Sequence, residues 1–477
     1  MLHTFTNDAL AEHDAVELAR MVRAREVTAV ELIDAAIARA AAAGPLAAIV
    51  IESFERARAE AARTDALIER GARLPGAFAG VPTFIKDQID VIGLPTRYGS
   101  EAHAEARPAV RNDPITEQLL GMGLISLGKS TLPEYGLVPS TEFPRAEPTR
   151  NPWNPARTPG GSSGGAAALV AAGVVPIAHT ADGGGSTRIP AACCGLVGLK
   201  PSRGRLPDSG MQDPFVRITV DGVVTRSLRD TALFYAEAER LHRPRGLPAI
   251  GHVVRPLARR LKVAAVVESP LGTALDSPTT EALQATLDRL ADLGHQVETI
   301  RPPIGEQFAD DFLCFWAMLA GLIALTSRHR KDPRFDRARL ARFTRELGQQ
   351  ALRSTAKLPG VLQRLRRSAV EAERAFAGID VIISPTSGQI APLLGHLNIE
   401  QSFADLYPKL FEWVCFTPWA NAAGLPSLSL PLGFDAATGL PVGVLATARW
   451  GHERLLLELG LELEQAVGFR SLPRLAS

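Results

Sequence analysis

The spacing of hydrophobic and polar positions changes along the chain, and each change predicts a different element. Between residues 14 and 70, apolar residues recur every three or four positions, which predicts amphipathic helices. Thr28 followed by Glu31 predicts a capping box at the start of one of these helices. The apolar run 47–52 is short and predicts a strand.

After residue 76, short apolar runs alternate with glycine-rich loops. The runs that predict strands are 89–92, 124–127, 174–178, 220–224, 263–267, 381–383, 427–430 and 442–445. The patterns that predict helices are 166–172, 279–293, the arginine-rich stretch 306–377 and 452–465. Strands interleaved with helices in this way predict an α/β sheet with helices on its faces.

Neither an internal repeat nor a low-complexity linker divides the sequence. We therefore predict a single domain over residues 1–477. Its segments are N-terminal helices at 1–75, an α/β core at 76–230, a variable helical region at 231–420, and core strands with a helix at 421–477.

Composition narrows the classes of partner. The chain has 52 basic and 51 acidic residues, for a net charge of +1, so it has no general field that attracts nucleic acid or an anionic membrane. A basic cluster predicts the solvated face of one helix, with an anion-binding patch as the alternative. The cluster consists of Arg328, Arg330, Lys331, Arg334, Arg337, Arg339 and Arg342.

Cysteine usage and apolar runs bear on the compartment. The four cysteines, Cys193, Cys194, Cys314 and Cys415, lack metal-ligand spacing and predict free thiols in a reducing compartment. The first twenty residues lack the apolar core of a secretory signal. The longest apolar runs, 166–178 and 312–325, are shorter than the ~20 residues that span a bilayer. The prediction is a cytoplasmic protein with no membrane span, no metal and no cofactor.

A serine that follows three glycines is the first candidate for chemistry. Gly183, Gly184 and Gly185 precede Ser186, and backbone N–H groups in such a row have no Cβ in their way. They can donate hydrogen bonds to the oxyanion of a tetrahedral intermediate. Ser186 at the end of this row is a candidate nucleophile.

A serine nucleophile needs a base, and two residues are candidates. His179 lies seven residues before Ser186. Lys86 lies in an apolar frame and would serve if burial lowered its pKa from ~10.4 toward ~7–8. A salt bridge from Lys86 to Asp87 or Asp90 is the alternative, and it would raise that pKa.

Three separated segments then occur in order: G-V-P-T-F-I-K-D at 80–87, N-P-W-N-P-A-R-T-P-G-G-S-S-G-G-A-A-A-L-V-A-A-G at 151–173 and G-G-S-T-R-I-P-A-A-C-C-G-L-V-G-L-K-P at 184–201. They resemble the motifs of the amidase signature hydrolases. Weaker similarity covers N-A-A-G-L-P-S-L-S-L-P at 421–431. The resemblance covers nearly the whole chain. It implies the amidase-signature fold, a large mixed twisted β-sheet with helices on both faces.

The resemblance also implies roles for single residues. Ser186 would be the nucleophile, Ser162 would relay the proton after a cis Gly161–Ser162 bond, and Lys86 would be the base. The N–H groups of Gly183, Gly184, Gly185 and Ser186 would form the oxyanion hole. Supporting hydrogen bonds would come from Ser163, Asp182 and Arg188.

One departure from the family pattern bears on the substrate. Gly183 replaces a bulkier residue, which should widen the oxyanion loop. The triple glycine is similar to that of hydrolases of cyclic amides, nylon oligomers and urethanes. This favours a hydrophobic or aryl amide, a cyclic amide or a carbamate as the small-molecule substrate, with ester hydrolysis as a side activity. A homodimer is consistent with many members of the family.

Aromatic and soft apolar residues concentrate between residues 300 and 420 and could line the pocket or fill the core. They are Phe312, Phe315, Trp316, Met318, Phe411, Trp413, Phe416 and Trp419. Cys314 and Cys415 could also approach the site.

Three other functions stay open. Residues 123–130 satisfy G-x-x-x-x-G-K-S, the phosphate loop of nucleotide hydrolases, although the interior of the motif looks like a strand. Residues 160–164 satisfy G-x-S-x-G, which would make Ser162 the nucleophile of an α/β-hydrolase-type esterase. A non-catalytic subunit on an amidase-like fold is the third alternative.

Overall fold

The computed structural model describes residues 1–208 and 215–472. The helices in these ranges are α1 (Ala15–Arg23), α2 (Ala29–Ala42), α3 (Phe54–Glu69), α4 (Pro114–Gly121), α5 (Gly164–Ala171), α6 (Arg188–Cys194), α7 (Leu228–Leu241), α8 (Ser277–Asp292), α9 (Glu306–Arg330), α10 (Arg342–Ser354), α11 (Leu358–Ala375), α12 (Phe403–Trp413), α13 (Pro418–Ala423) and α14 (Glu453–Val467). The predicted capping box forms at the start of α2, where Thr28 and Glu31 satisfy each other's backbone N–H groups.

Two sheets order the strands. The strands are β1 (Ile49–Glu52), β2 (Pro82–Lys86), β3 (Ile125–Ser130), β4 (Ile177–Asp182), β5 (Val197–Lys200), β6 (Val220–Thr225), β7 (Lys262–Ala265), β8 (Gln296–Thr299), β9 (Val381–Pro385), β10 (Ser427–Asp435) and β11 (Leu440–Ala448). The large sheet has the order β4-β6-β5-β10-β11-β9-β7-β8, and the small one β1-β3-β2.

The large sheet is mixed, as predicted. Its pairs are antiparallel from β4 to β9, and β9-β7-β8 are parallel. Every residue of β4, β9 and β11 is buried, although successive side chains point to opposite faces of a strand. Both faces are therefore covered, and the helices that pack on these strands include α5, α6, α8 and α14.

The small sheet brings β2 against β4 of the large sheet. Thr83 Oγ1 donates to the Ile177 carbonyl at 3.0 Å, and the Lys86 N–H donates to His179 Nδ1 at 3.3 Å. These contacts place Lys86 beside the middle of β4, and the Lys86 side chain reaches the Ala181 carbonyl, near the end of β4 where the glycine-rich loop begins. The two sheets thus meet at the residues that the sequence singles out.

Two predicted strands are misplaced. Residues 89–92 do not form a strand, because the chain turns directly after Lys86 and the strand is the preceding β2. The strand predicted at 174–178 begins at Ile177, because residues 172–176 form the turn after α5. In both cases most of the apolar residues are buried in turns, where composition does not distinguish them from strands.

The basic cluster does not lie on one helix. Its residues follow the end of α9, the connecting loop with a 3₁₀ turn, and the start of α10, although all seven are exposed. The prediction of a single helical face is therefore wrong, because Pro333 lies within the cluster and the chain leaves the helix before it.

Helix α9 contains the apolar run 312–325 and extends beyond it on both sides. Its 25 residues make it the one helix in the described ranges that is long and apolar enough to cross a membrane, by length and composition alone. The apolar run itself is shorter than the ~20 residues that span a bilayer, and the helix reaches 25 residues only with its polar ends. The helix packs against α10 and α11, and this packing accounts for buried residues such as Phe315 and Ala320.

Candidate active site

Lys86 is the last residue of β2 and is fully buried. Its Nζ donates to Ser162 Oγ at 2.8 Å and to the Ala181 carbonyl at 3.3 Å. Burial lowers the pKa of Lys86 to about 7, although the carboxylates of Asp182 and Asp221 oppose this shift. A neutral amine next to a serine hydroxyl can accept a proton at neutral pH.

The salt bridge that would have kept Lys86 charged is made by another lysine. Asp87 pairs with Lys129 at 2.7 Å, and both side chains are fully buried. Asp90 accepts from Thr96 Oγ1 at 2.6 Å. Because Lys129 lies inside β3 and is held by Asp87, residues 125–130 of this motif form a strand and not a phosphate loop.

His179 lies on β4 beneath Lys86 and is not positioned as a base for Ser186. Its Nδ1 accepts from the backbone N–H of Lys86, and its Nε2 lies 3.1 Å from Asp221 Oδ1. An accepting Nδ1 leaves the proton on Nε2, which donates to the carboxylate. Both ring nitrogens are therefore used inside the core, away from the Ser186 hydroxyl.

Ser162 lies on the loop before α5, and its peptide bond to Gly161 is cis. The hydroxyl is buried, and a Cβ built on Gly136 would stand only 2.8 Å from Ser162 Oγ, so a glycine at 136 leaves room for it. Residues 151–163, all of them described, contain no strand. A nucleophile elbow requires a strand before its serine, so the α/β-hydrolase alternative is wrong.

Ser163 connects the two serine loops. Its backbone N–H donates to the Ser186 carbonyl at 3.2 Å, and its hydroxyl donates to the Ala181 carbonyl at 3.3 Å. Ser186 is half-buried and faces the same cavity as Ser162 and Lys86. The three residues that the resemblance implies as a triad are thus brought to one place.

Asp182 organises the glycine loop. It is fully buried and accepts from the N–H groups of Gly185, at 2.8 Å, and Thr187, at 3.1 Å. Burial alone would raise its pKa, but the guanidinium of Arg188, at 2.8 Å, holds the pKa well below its usual range. The prediction that the Gly185 N–H donates to the oxyanion is wrong, because this N–H donates to Asp182. Gly183, Gly184 and Ser186 line the cavity.

Two residues of the C-terminal region hold this loop, and sequence reasoning missed both. Asn421 Nδ2 donates to Asp182 Oδ1 at 2.9 Å, and its Oδ1 accepts from Arg188 at 2.6 Å. Thr417 Oγ1 donates to the Gly184 carbonyl at 2.6 Å. The weak motif at 421–431 begins with this asparagine and was the available signal.

A cavity of about 890 Å³ opens over Ser162, Gly183, Gly184 and Ser186. Of the aromatic and soft apolar residues considered above, Phe312, Trp316 and Phe411 line it, and so does Cys415. The others are buried core residues, namely Phe315, Met318, Trp413, Phe416 and Trp419, and Cys314 is buried beside them. All four cysteines are free, as predicted.

Comparison with known proteins agrees with this geometry. The family model described as Amidase matches residues 31–457. The chain belongs to the amidase family. It is 45% identical over 469 residues to "Putative amidase AmiC" of Mycobacterium tuberculosis, covering 98% of this chain and 97% of that protein.

Solved structures agree with the fold. The structure of 6-aminohexanoate cyclic dimer hydrolase superimposes with a TM-score of 0.86 at 29% identity. The match covers 99% of this chain and 100% of that one. A bacterial aryl acylamidase of the amidase signature family gives a TM-score of 0.83 at 25% identity, covering 95% and 96%. This amidase is therefore a hydrolase that acts on carbon–nitrogen bonds.

No metal site was recognised in the ranges 1–208 and 215–472, because no three His, Cys, Asp or Glu side chains are grouped as ligands.

Proposed function

We propose that this amidase is a serine amidohydrolase with Ser186 as nucleophile, Ser162 as proton relay and Lys86 as base. The observation that carries the proposal is the 2.8 Å hydrogen bond from Lys86 Nζ to Ser162 Oγ in a fully buried site. At pH 7 a lysine with the ordinary pKa of 10.5 is neutral in roughly one molecule in 3000, whereas a lysine with a pKa of about 7 is neutral in about half.

The first half-reaction acylates the enzyme. Ser186 Oγ bonds to the amide carbon, its proton passes to Ser162 Oγ, and the Ser162 proton passes to Lys86 Nζ. The carbonyl oxygen takes the π electron pair, and N–H groups of the glycine loop at Gly183, Gly184 and Ser186 donate to it. The C–N bond then breaks, and the amine leaves with the proton returned from Lys86 through Ser162.

The second half-reaction releases the acid. Water gives its proton through Ser162 to Lys86 and attacks the acyl carbon. Collapse of the second tetrahedral intermediate breaks the ester bond, and Ser186 regains its proton. The bracing of the loops by Asp182, Arg188 and Ser163 keeps the donors oriented for both steps.

The substrate we propose is a hydrophobic or aryl amide, a cyclic amide or a carbamate, with esters as side substrates. The apolar wall formed by Phe312, Trp316 and Phe411 supports this class, because area burial would supply most of the binding energy. Similarity to a cyclic-dimer hydrolase and an aryl acylamidase supports it as well. Matched anilides, lactams, carbamates and esters test the class, and cleavage of small polar amides alone would contradict it.

The nucleophile is tested with a fluorophosphonate probe followed by peptide mass spectrometry. We expect the adduct on Ser186 and its loss in Ser186→Ala, with Ser126→Ala, on β3 and not among the residues that line the cavity, as the control that still reacts. An adduct on Ser162 would overturn the assignment, and a folded protein that does not react would favour a non-catalytic role.

A further inference from the structure

Helix α9 forms one long wall of the active-site cavity. A Cβ built on Gly184 would lie 3.5 Å from Phe312 Cζ, so the ring of Phe312 faces the glycine loop. Trp316, Leu319 and Ile323 line the cavity further along the same helix. At a rise of 1.5 Å per residue, the helix continues for about 27 Å from Phe312 to Arg330. The cavity is therefore elongated and apolar along most of α9.

The last turn of α9 changes the character of this wall. Thr326, Ser327 and Arg330 line the cavity there. Tyr135, which precedes the Gly136 that faces Ser162, donates from its hydroxyl to Ser327 Oγ at 3.3 Å. The polar end of the wall is thus connected directly to the side of the cavity that holds the candidate relay serine.

The charges that line the cavity have one sign. Among the described lining residues the basic side chains are Lys86, Arg217, Arg330 and Lys331, and no Asp or Glu is present. Arg217 pairs with Asp208. Arg330 has no carboxylate within ion-pair distance in the ranges 1–208 and 215–472. A guanidinium in this position can bind a carboxylate through two parallel hydrogen bonds.

We infer that the cavity takes an elongated amide whose apolar chain lies along α9 and whose terminal carboxylate is bound by Arg330. The inference rests on the proposed function, because it assumes that the scissile amide lies at Ser186. The apolar wall would supply affinity, and the single guanidinium would select substrates that carry an anionic end group.

Arg328 provides a matched control. Arg328 and Arg330 are both exposed and both lie in the last turn of α9, where any cation interacts favourably with the helix dipole. Only Arg330 lines the cavity. If an effect on activity came only from removing a positive charge at the end of α9, it should therefore be equal in Arg328→Gln and Arg330→Gln.

The test uses two substrate series of increasing chain length: p-nitroanilides of ω-carboxyalkanoic acids and benzoyl amides of ω-amino acids. Each substrate has a neutral partner in which a hydroxyl group replaces the carboxylate. We expect kcat/KM to favour the carboxylate about tenfold in at least one series, mainly through KM. Arg330→Gln should remove the preference and leave the hydroxyl substrates unaffected, whereas Arg328→Gln should retain it.

Two outcomes overturn the inference: no carboxylate preference in either series, or a preference that survives Arg330→Gln. Ser186→Ala separates this failure from failure of the proposed function. If Ser186→Ala is inactive on the hydroxyl substrates and the preference is absent, only the carboxylate site is wrong. If Ser186→Ala cleaves them at the wild-type rate, the proposed function fails as well.

Discussion

The ends of β2 and β3 each carry a fully buried lysine, and the two lysines have opposite surroundings. Lys129 donates to the carboxylate of Asp87 at 2.7 Å. Lys86 donates to the hydroxyl of Ser162 and to a carbonyl, neither of which is ionised. A buried ammonium is stable only with a counter-charge, so the first site favours a charged lysine and the second a neutral one.

Neighbours in sequence suggest the reverse pairing. Asp87 directly follows Lys86, but the register aligns Lys86 with Ser130 and Ile85 with Lys129. Asp87 continues past the strand end, and its side chain reaches Lys129 on the neighbouring strand. The comparison shows that pairing between strands decides which buried lysine stays charged, and the following predictions test it in order of expected effect.

Lys86→Met should cause the largest loss of activity. General base catalysis contributes about 10²- to 10⁴-fold, so kcat/KM for an anilide should fall by that factor. The fold should become more stable at pH 7 by roughly 1–4 kcal/mol. Folding of the wild type at this pH must bury a lysine that is charged in the unfolded chain, and methionine avoids that cost. Urea unfolding at pH 7 and pH 10, together with steady-state kinetics, measures both effects.

The sign of the stability effect follows from proton binding. The folded pKa of Lys86, about 7, lies below the ordinary 10.5, so between these values the unfolded chain binds more protons. Wild-type stability should therefore rise with pH through this window, and Lys86→Met should lack that slope. Full activity in Lys86→Met would remove lysine from the mechanism.

Lys129→Met should destabilise the fold by about 3–5 kcal/mol, because it leaves Asp87 buried without its partner. Burial already raises the pKa of Asp87 while Lys129 opposes the rise, so loss of Lys129 should raise the pKa of this carboxyl further. Urea unfolding measures the change, and Lys262→Met, an exposed lysine at the start of β7, is the control with an effect near zero. An equally stable Lys129→Met would mean that the ion pair does not stabilise the fold.

Much of the candidate site could be predicted because its residues lie in three short motifs, around Lys86, Ser162 and Ser186. The glycine row at 183–185 and the serines that follow it and precede α5 lie in short segments whose backbone forms the site. Asn421 and Thr417 could not be found in this way, since they meet Asp182 and Gly184 only through long-range packing. The commitment of the Gly185 N–H to Asp182 likewise depends on side-chain geometry.

The class of fold was predictable from strands and helices that alternate, whereas several boundaries were not. The capping box of α2 is local, and its prediction is confirmed. The run 89–92 is equally apolar but lies in a turn. Its apolar composition reflects tertiary burial and not a position on the face of a sheet. A cytoplasmic location, the division into one domain and a homodimer stay predictions.

Asp221→Asn should shift the acidic limb of the pH profile of kcat/KM to lower pH by roughly half to one unit. Asp221 is negatively charged and raises the pKa of Lys86, so its neutralisation should lower that pKa further. The amide oxygen can still accept from His179 Nε2, which preserves the packing beneath Lys86. Asp65→Asn, which affects only the cap of α2, should not move the limb. A shift toward higher pH would contradict the assignment of this limb to Lys86.

Thr96→Val should have the smallest effect, and it acts on the Lys129 side of the comparison, where it also removes the hydrogen bond from Thr96 to Asp90. Thr96 Oγ1 accepts from Lys129 Nζ at 2.8 Å, and its loss should cost about 1–2 kcal/mol because the ion pair to Asp87 remains. Thr280→Val, at an exposed position of α8, is the control for the loss of a hydroxyl. The pH limb near 7 should stay in place, since Lys86 gains or loses no charged neighbour. A moved limb would mean that the two lysine sites are coupled across β2 and β3, and that the ion pair of Lys129 contributes to the field that keeps Lys86 neutral.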